Sequence, residues 1–250
     1  MIRTILVVSV LCAGCNDPKP GAAASTSTST STSTSTSTST STSTASATAS
    51  ASATASATAS ATASASASPD TSRKGTIVVH IGDSFTEAYF EQNLRARFAG
   101  VGAKYVVKAQ TPSYTPTWAF GGYEGALDTL MNMHPQLTLV TLGANEVDMK
   151  DPQIHAKAVK EIARKASKWG QCVWITPPMW KKDSGFLQVI KENCAPCAYF
   201  YSDDHVKDVE RQKDKIHPNE AGGAKWAAAF WDWLEAHRDP SAGPWVLKAD

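Results

Sequence analysis

The chain has 250 residues, with 24 Lys and Arg against 23 Asp and Glu, a net charge of +1, and 42% hydrophobic residues. So even a balance gives no field suited to a nucleic acid or an anionic surface, and no charge block is longer than WKKD or RQKDK, so no nucleic-acid partner is expected. The composition describes no single region, because the first quarter and the remainder are different populations.

Residues 1–15, MIRTILVVSVLCAGC, carry one positive charge at Arg3, an apolar run from Ile5 to Leu11, and small residues before a cysteine. The run falls short of the roughly 20 apolar residues that cross a bilayer as a helix. It reads as a secretory signal. The end of it, LCAGC, resembles a bacterial lipobox, differing at Cys12 where leucine is usual. The resemblance implies lipidation of Cys15, which becomes the mature N-terminus, and an exported protein of the bacterial cell envelope that meets the membrane only through that lipid. An ordinary secretory signal with a nearby small-residue cleavage site is the alternative.

Residues 16–72 form a Ser/Thr/Ala-rich linker that includes ten consecutive Ser-Thr pairs from Ser25 to Thr44. With no large apolar side chain to bury, such a segment cannot offset the entropy of ordering. It is expected to act as a disordered tether with an end-to-end distance of about 35–40 Å. Its hydroxyls are open to O-glycosylation.

Residues 73–250, roughly 175 in number, are the size of one domain with its own core. Apolar runs alternate with helical patterns along it. TIVVHI precedes a helix over Ser84–Ala99; YVVKA precedes a loop and a helix over Tyr123–Met133; LTLVTLG precedes Asp151–Trp169. CVWIT precedes a loop and a helix at Phe186–Glu192, AYFYS follows, and Glu220–His237 closes the chain. Five strands interleaved with helices predict an α/β fold whose parallel sheet is covered on both faces. Ligands of such sheets bind beyond the carboxyl ends of the strands.

The loops at those ends carry the chemistry. Ser84 follows Gly82-Asp83 directly after the first strand, where a serine is either a helix cap or a nucleophile. A serine nucleophile needs a base within reach and an acid to orient that base. Asp214 and His217, in DKIHPNEAGG before the last helix, supply such a pair.

With Gly-Asp-Ser after the first strand, Gly-x-Asn after the third and Asp-x-x-His before the last helix, the domain resembles the SGNH/GDSL hydrolases, serine esterases and lipases on a three-layer flavodoxin-like sandwich with a five-stranded parallel sheet. The resemblance spans Thr76 to Glu235. It implies Ser84 as nucleophile, His217 as base, Asp214 as orienting acid and Asn145 as an amide donor to the oxyanion. Glu146 replaces the family's usual aspartate, and Ser113 stands where the second-block glycine gives its backbone N–H to the oxyanion hole.

Among the other histidines, His80 reads as a packed strand residue, His134, His155 and His237 as solvated residues on or beside helices, and His205, after Asp203-Asp204, as a rival base without motif support. Tyr114, Trp118 and Trp180 fall in loops of the same face and read either as loop anchors or as a surface that stacks on substrate. Trp226, Trp231 and Trp233 read as packing residues of the last helix. The cysteines Cys172, Cys194 and Cys197 are too few for a structural zinc site, and CAPC lies after a helix rather than before one, so neither metal nor redox chemistry is expected. A disulfide is expected between Cys172 and Cys197, at the starts of two neighbouring strands, with Cys172–Cys194 second and Cys194–Cys197 third.

The expected function is hydrolysis of an acyl ester, acetyl above all, on a carbohydrate or small molecule by a monomer that uses no metal or cofactor. A lipid esterase or an acyltransferase on the same residues, and a catalytically weak surface-anchored binding module, are the alternatives.

Overall fold

Every residue of TIVVHI from Val78 onward is buried, as a strand covered on both faces requires. The computed structural model, which describes residues 71–248, places β1 at Ile77–Gly82, β2 at Lys104–Ala109, β3 at Leu137–Thr141, β4 at Gln171–Ile175 and β5 at Ala198–Phe200. All pairings are parallel, in the order β2-β1-β3-β4-β5. The chain leaves β1 toward one edge and returns beyond its other side to form β3, which opens a crevice between the carboxyl ends of these two strands. The expected signal peptide, Cys15 and the expected linker up to residue 70 lie outside the described residues.

Helices cover both faces. They are α1 (Tyr89–Gly100), α2 (Thr115–Ala119), α3 (Gly122–Met131), α4 (Ala156–Ala166), α5 (Phe186–Asn193), α6 (Ser202–His205) and α7 (Glu220–His237). Because side chains alternate along a strand, Val78, Leu139 and Val173 meet Phe90, Trp226 and Phe230 of α1 and α7. Val79, Ile81, Val140 and Trp174 meet Trp118, Ile162 and Phe186 on the other face. The result is the three-layer α/β sandwich expected from the sequence. His80 is buried between Tyr105 Oη (2.5 Å) and Thr141 Oγ1 (2.8 Å), and burial lowers its pKa to about 3, so it is a neutral core residue.

Two local differences matter for the site. The first helix begins at Tyr89 rather than Ser84, because Ser84–Ala88 form a turn that ends with Ala88 at φ 56°. Ser84 therefore projects from a loop, and no helix N-terminus lies directly behind it. Gly82 makes this turn possible: a Cβ there would stand 1.7 Å from Thr86 Oγ1 and 2.5 Å from the Thr141 carbonyl.

Cys172 and Cys197 are joined by a disulfide, with a Cα separation of 4.4 Å. The register explains it, since Val173 lies opposite Ala198 and the preceding residues stand side by side. Cys194 is free and buried, and burial raises its pKa to about 11. The bond closes a loop of 25 residues, for which chain entropy gives about 3 kcal/mol of stability. Cys197→Ser is expected to lower the free energy of unfolding by about that amount. Equal urea midpoints for the variant and the oxidised wild type would refute the estimate.

Candidate active site

His217 Nε2 lies 2.8 Å from Ser84 Oγ, and His217 Nδ1 lies 2.7 Å from Asp214 Oδ2. Asp214 also accepts the backbone N–H of Ile216 at 2.8 Å and of His217 at 3.1 Å. The His217 side-chain hydrogen bond first, and these N–H groups after it, lower the Asp214 pKa to about 2. An ionised Asp214 can only accept, so Nδ1 carries the proton and Nε2 is left to accept from the Ser84 hydroxyl. The three residues thus form one line of hydrogen bonds with a base poised on the serine.

Buried polar contacts tie the surrounding loops together. Asp83 is wholly buried and accepts from Phe85 N (2.9 Å) and, through its other oxygen, from Ala144 N (3.3 Å), which holds the Ser84 turn against the loop after β3. Gly143, at φ 124°, starts that loop in a conformation that favours glycine. Asn145 Nδ2 donates to the Ser113 carbonyl at 2.8 Å, and among the described residues no acceptor takes its second amide hydrogen. Among the described residues no acceptor takes the Ser84 N–H. Glu146 Oε1 accepts the Thr115 N–H at 2.6 Å, so the longer side chain in place of aspartate reaches the loop after β2.

Glu146 and Asp83 are wholly buried carboxyls, and among the described residues no group lies at hydrogen-bonding geometry to Glu146 Oε2. Burial raises both pKa values to about 7, and for Asp83 the nearby Glu146 adds to the rise. Since both folded values exceed the unfolded ones of 3.8 and 4.5, the native state retains protons that the unfolded chain has lost. Their contribution to stability is complete below about pH 4 and declines as pH rises toward 7, by up to about 1.4 kcal/mol per pH unit for each group. Glu146→Gln retains an oxygen for Thr115 and has no proton to lose. Its melting temperature, relative to wild type, is expected to rise between about pH 5 and about pH 8; a difference constant with pH would refute the buried charge.

Several sequence expectations change here. Trp118 is not a loop residue facing substrate: it lies on α2, is 1% exposed, and donates from Nε1 to Ser113 Oγ at 3.2 Å within the core. Ser113 is wholly buried and its carbonyl orients Asn145, while among the described residues no acceptor takes its N–H, the donor expected of it. Tyr114 is exposed, at the start of α2. Trp180 does face the site, stacked on Phe85 with ring centres 5.0 Å apart, and Phe85 in turn lies 5.0 Å from the His217 ring. His155 is buried against Thr115 and Phe186 rather than solvated.

Three contributors were not legible in the sequence. Phe85 forms the middle of the aromatic column. Thr111 lines both clefts that flank Ser84. Arg211 donates to the carbonyls of Ile216, Pro178 (3.1 Å) and Met179 (2.9 Å), which clamps the Asp214–His217 loop to the loop after β4. The clefts have volumes of about 270 and 350 Å³; the larger holds Asn145, Trp180, Asp148 and Lys181.

No protein-family model and no curated protein matches the chain. Solved structures do. TesA superposes with a TM-score of 0.53 at 18% identity, over 64% of this chain and 99% of its own. A protein from Slackia heliotrinireducens assigned to the SGNH hydrolases gives 0.48 at 15%, over 64% and 98%. A two-domain esterase (CEX) active on acetylated mannans gives 0.49 at 11%, over 72% and 55%. The likeness to TesA is one of fold.

Proposed function

We propose that the chain is an exported serine esterase that removes short acyl groups, acetyl above all, from a carbohydrate. The observation that carries this reading is the hydrogen-bonded line Ser84–His217–Asp214 at the crevice between β1 and β3, with the Asn145 amide in the same cleft. Ser84 Oγ attacks the ester carbonyl carbon while His217 Nε2 takes the hydroxyl proton. Charge that develops on the carbonyl oxygen meets the free amide hydrogen of Asn145 and the Ser84 N–H. The protonated imidazole, steadied by ionised Asp214, then gives its proton to the departing alcohol oxygen as the C–O bond breaks. Water, deprotonated by Nε2, attacks the acyl-enzyme and releases the acid and Ser84.

The size and lining of the clefts support the substrate class. Both lie near or below the lower end of the range for small-molecule pockets, which suits a short acyl group better than a long chain. The Phe85–Trp180 column and the Asp148–Lys181 ion pair offer an aromatic face with donors and acceptors beside it, as a sugar alcohol requires. A p-nitrophenyl ester series tests this: kcat/KM is expected to be greatest for acetate and to fall with chain length. A maximum at long acyl chains would move the substrate to lipid esters, and no turnover on any ester would favour a binding module. With an alcohol in place of water the same steps give acyl transfer.

The export reading rests on residues 1–15. In a bacterial host, radiolabelled fatty acid is expected to attach to the wild type and not to Cys15→Ser. An unlabelled, soluble wild-type product would refute the anchor.

A further inference from the structure

A second cavity, of about 560 Å³, opens at the β5 edge of the sheet. Tyr199 of β5 and Tyr201 just beyond it both line it, because residues two apart share a face. Their rings are parallel within 7°, with centres 6.3 Å apart. The Tyr199 hydroxyl donates to the Leu187 carbonyl of α5 at 3.1 Å. The His205 ring, on the rim, stacks on buried Phe200 at 4.6 Å. These rings are held before any ligand arrives, so binding orders little that was free.

The polar groups of the lining define the ligand. Asp204 only accepts, Lys191 only donates and Gln188 does both. Asp183 is already committed, accepting the N–H groups of Gly185, Phe186 and Leu187 at the start of α5. Asp183 and Asp204 against Lys191 leave the lining slightly negative, which turns away an anionic ligand but not a neutral one. Fixed aromatic rings beside a balanced set of donors and acceptors match a neutral polyhydroxyl ring, apolar on its flat sides and polar at its edge.

We propose that this cavity is a second binding site, for a neutral sugar unit of a polysaccharide, distinct from the Ser84 crevice. Tyr201 and Asp204 follow the carboxyl end of β5, the same end at which Ser84 follows β1. Three strand spacings, about 14 Å, separate these strands. Between them Asp203 accepts the Met179 N–H at 3.0 Å, adjoining Trp180 of the crevice. A glycan held at β5 thus lies within reach of the nucleophile and raises the local concentration of ester groups there. The site stands on its own residues and does not depend on the chemistry of Ser84.

Affinity electrophoresis tests it with full-length Ser84→Ala protein, in native gels that contain a soluble β-glucan, xylan or mannan. At least one of these polymers is expected to retard the protein. Adding Tyr201→Ala or Asp204→Ala is expected to weaken the retardation constant about tenfold, roughly the loss of one anchoring contact. Trp169→Ala, which removes an exposed aromatic residue stacked on His134, should leave it unchanged. Absence of retardation by all three polymers, or retardation that survives both the Tyr201 and Asp204 substitutions, overturns the proposal. Since the readout is binding by a protein without its nucleophile, failure here is separate from failure of the esterase reading.

Discussion

Ser84→Ala and His217→Ala are each expected to lower kcat/KM on p-nitrophenyl acetate by about 10³-fold or more, with folding intact. In the proposed mechanism Ser84 Oγ supplies the bond-forming oxygen and His217 Nε2, 2.8 Å away, is the base that reaches it. Neither side chain is part of the two cores. The double variant is expected to be little worse than either single one, because the residues act as a unit. Asp214→Ala is expected to cost less, since its side chain is 41% exposed and water can take over part of its hydrogen bond to Nδ1. Full activity in Ser84→Ala would move the nucleophile elsewhere, and full activity in His217→Ala would remove His217 as the base, a role His205 cannot take over from the β5 cavity it lines.

The strands were legible because a strand covered on both faces needs a continuous apolar run, and five such runs stand out between helical patterns. Ser84, Asp214, His217 and Asn145 were legible because they fall in short motifs at the ends of these runs. The start of α1 was not: Ser84–Ala88 carry apolar residues at helical spacing, yet the turn that buries Phe85 and Thr86 takes precedence over helix propensity. The sequence leaves Trp118 between loop anchor and substrate surface for a similar reason. A five-residue helix gives no periodicity to detect, so nothing in the sequence shows that this aromatic residue belongs to the core. Arg211 was invisible because its acceptors are three backbone carbonyls, which leave no mark in the side-chain sequence. Glu146 was noticed as a substitution, but its reach to Thr115 depends on how two distant loops approach each other.

Asn145 offers the sharpest test of how the crevice would handle charge. Its amide is neutral and shifts no proton of its own, so what it gives to an oxygen grows with the negative charge on that oxygen. One hydrogen is fixed on the Ser113 carbonyl at 2.8 Å, which sets the plane of the amide and the direction of the other hydrogen. Asn145→Ala is therefore expected to lower kcat on p-nitrophenyl acetate by about 10²-fold, roughly 3 kcal/mol, with a much smaller change in KM. Asn145→Asp retains the size of the side chain but replaces the donor with an acceptor that repels the developing oxyanion, so its loss should be at least as great. An effect of Asn145→Ala confined to KM would make the amide a ground-state contact to substrate. Near-normal kcat in Asn145→Asp would show that the oxyanion forms elsewhere in the crevice, with the Ser84 and Ser113 N–H groups as its remaining donors.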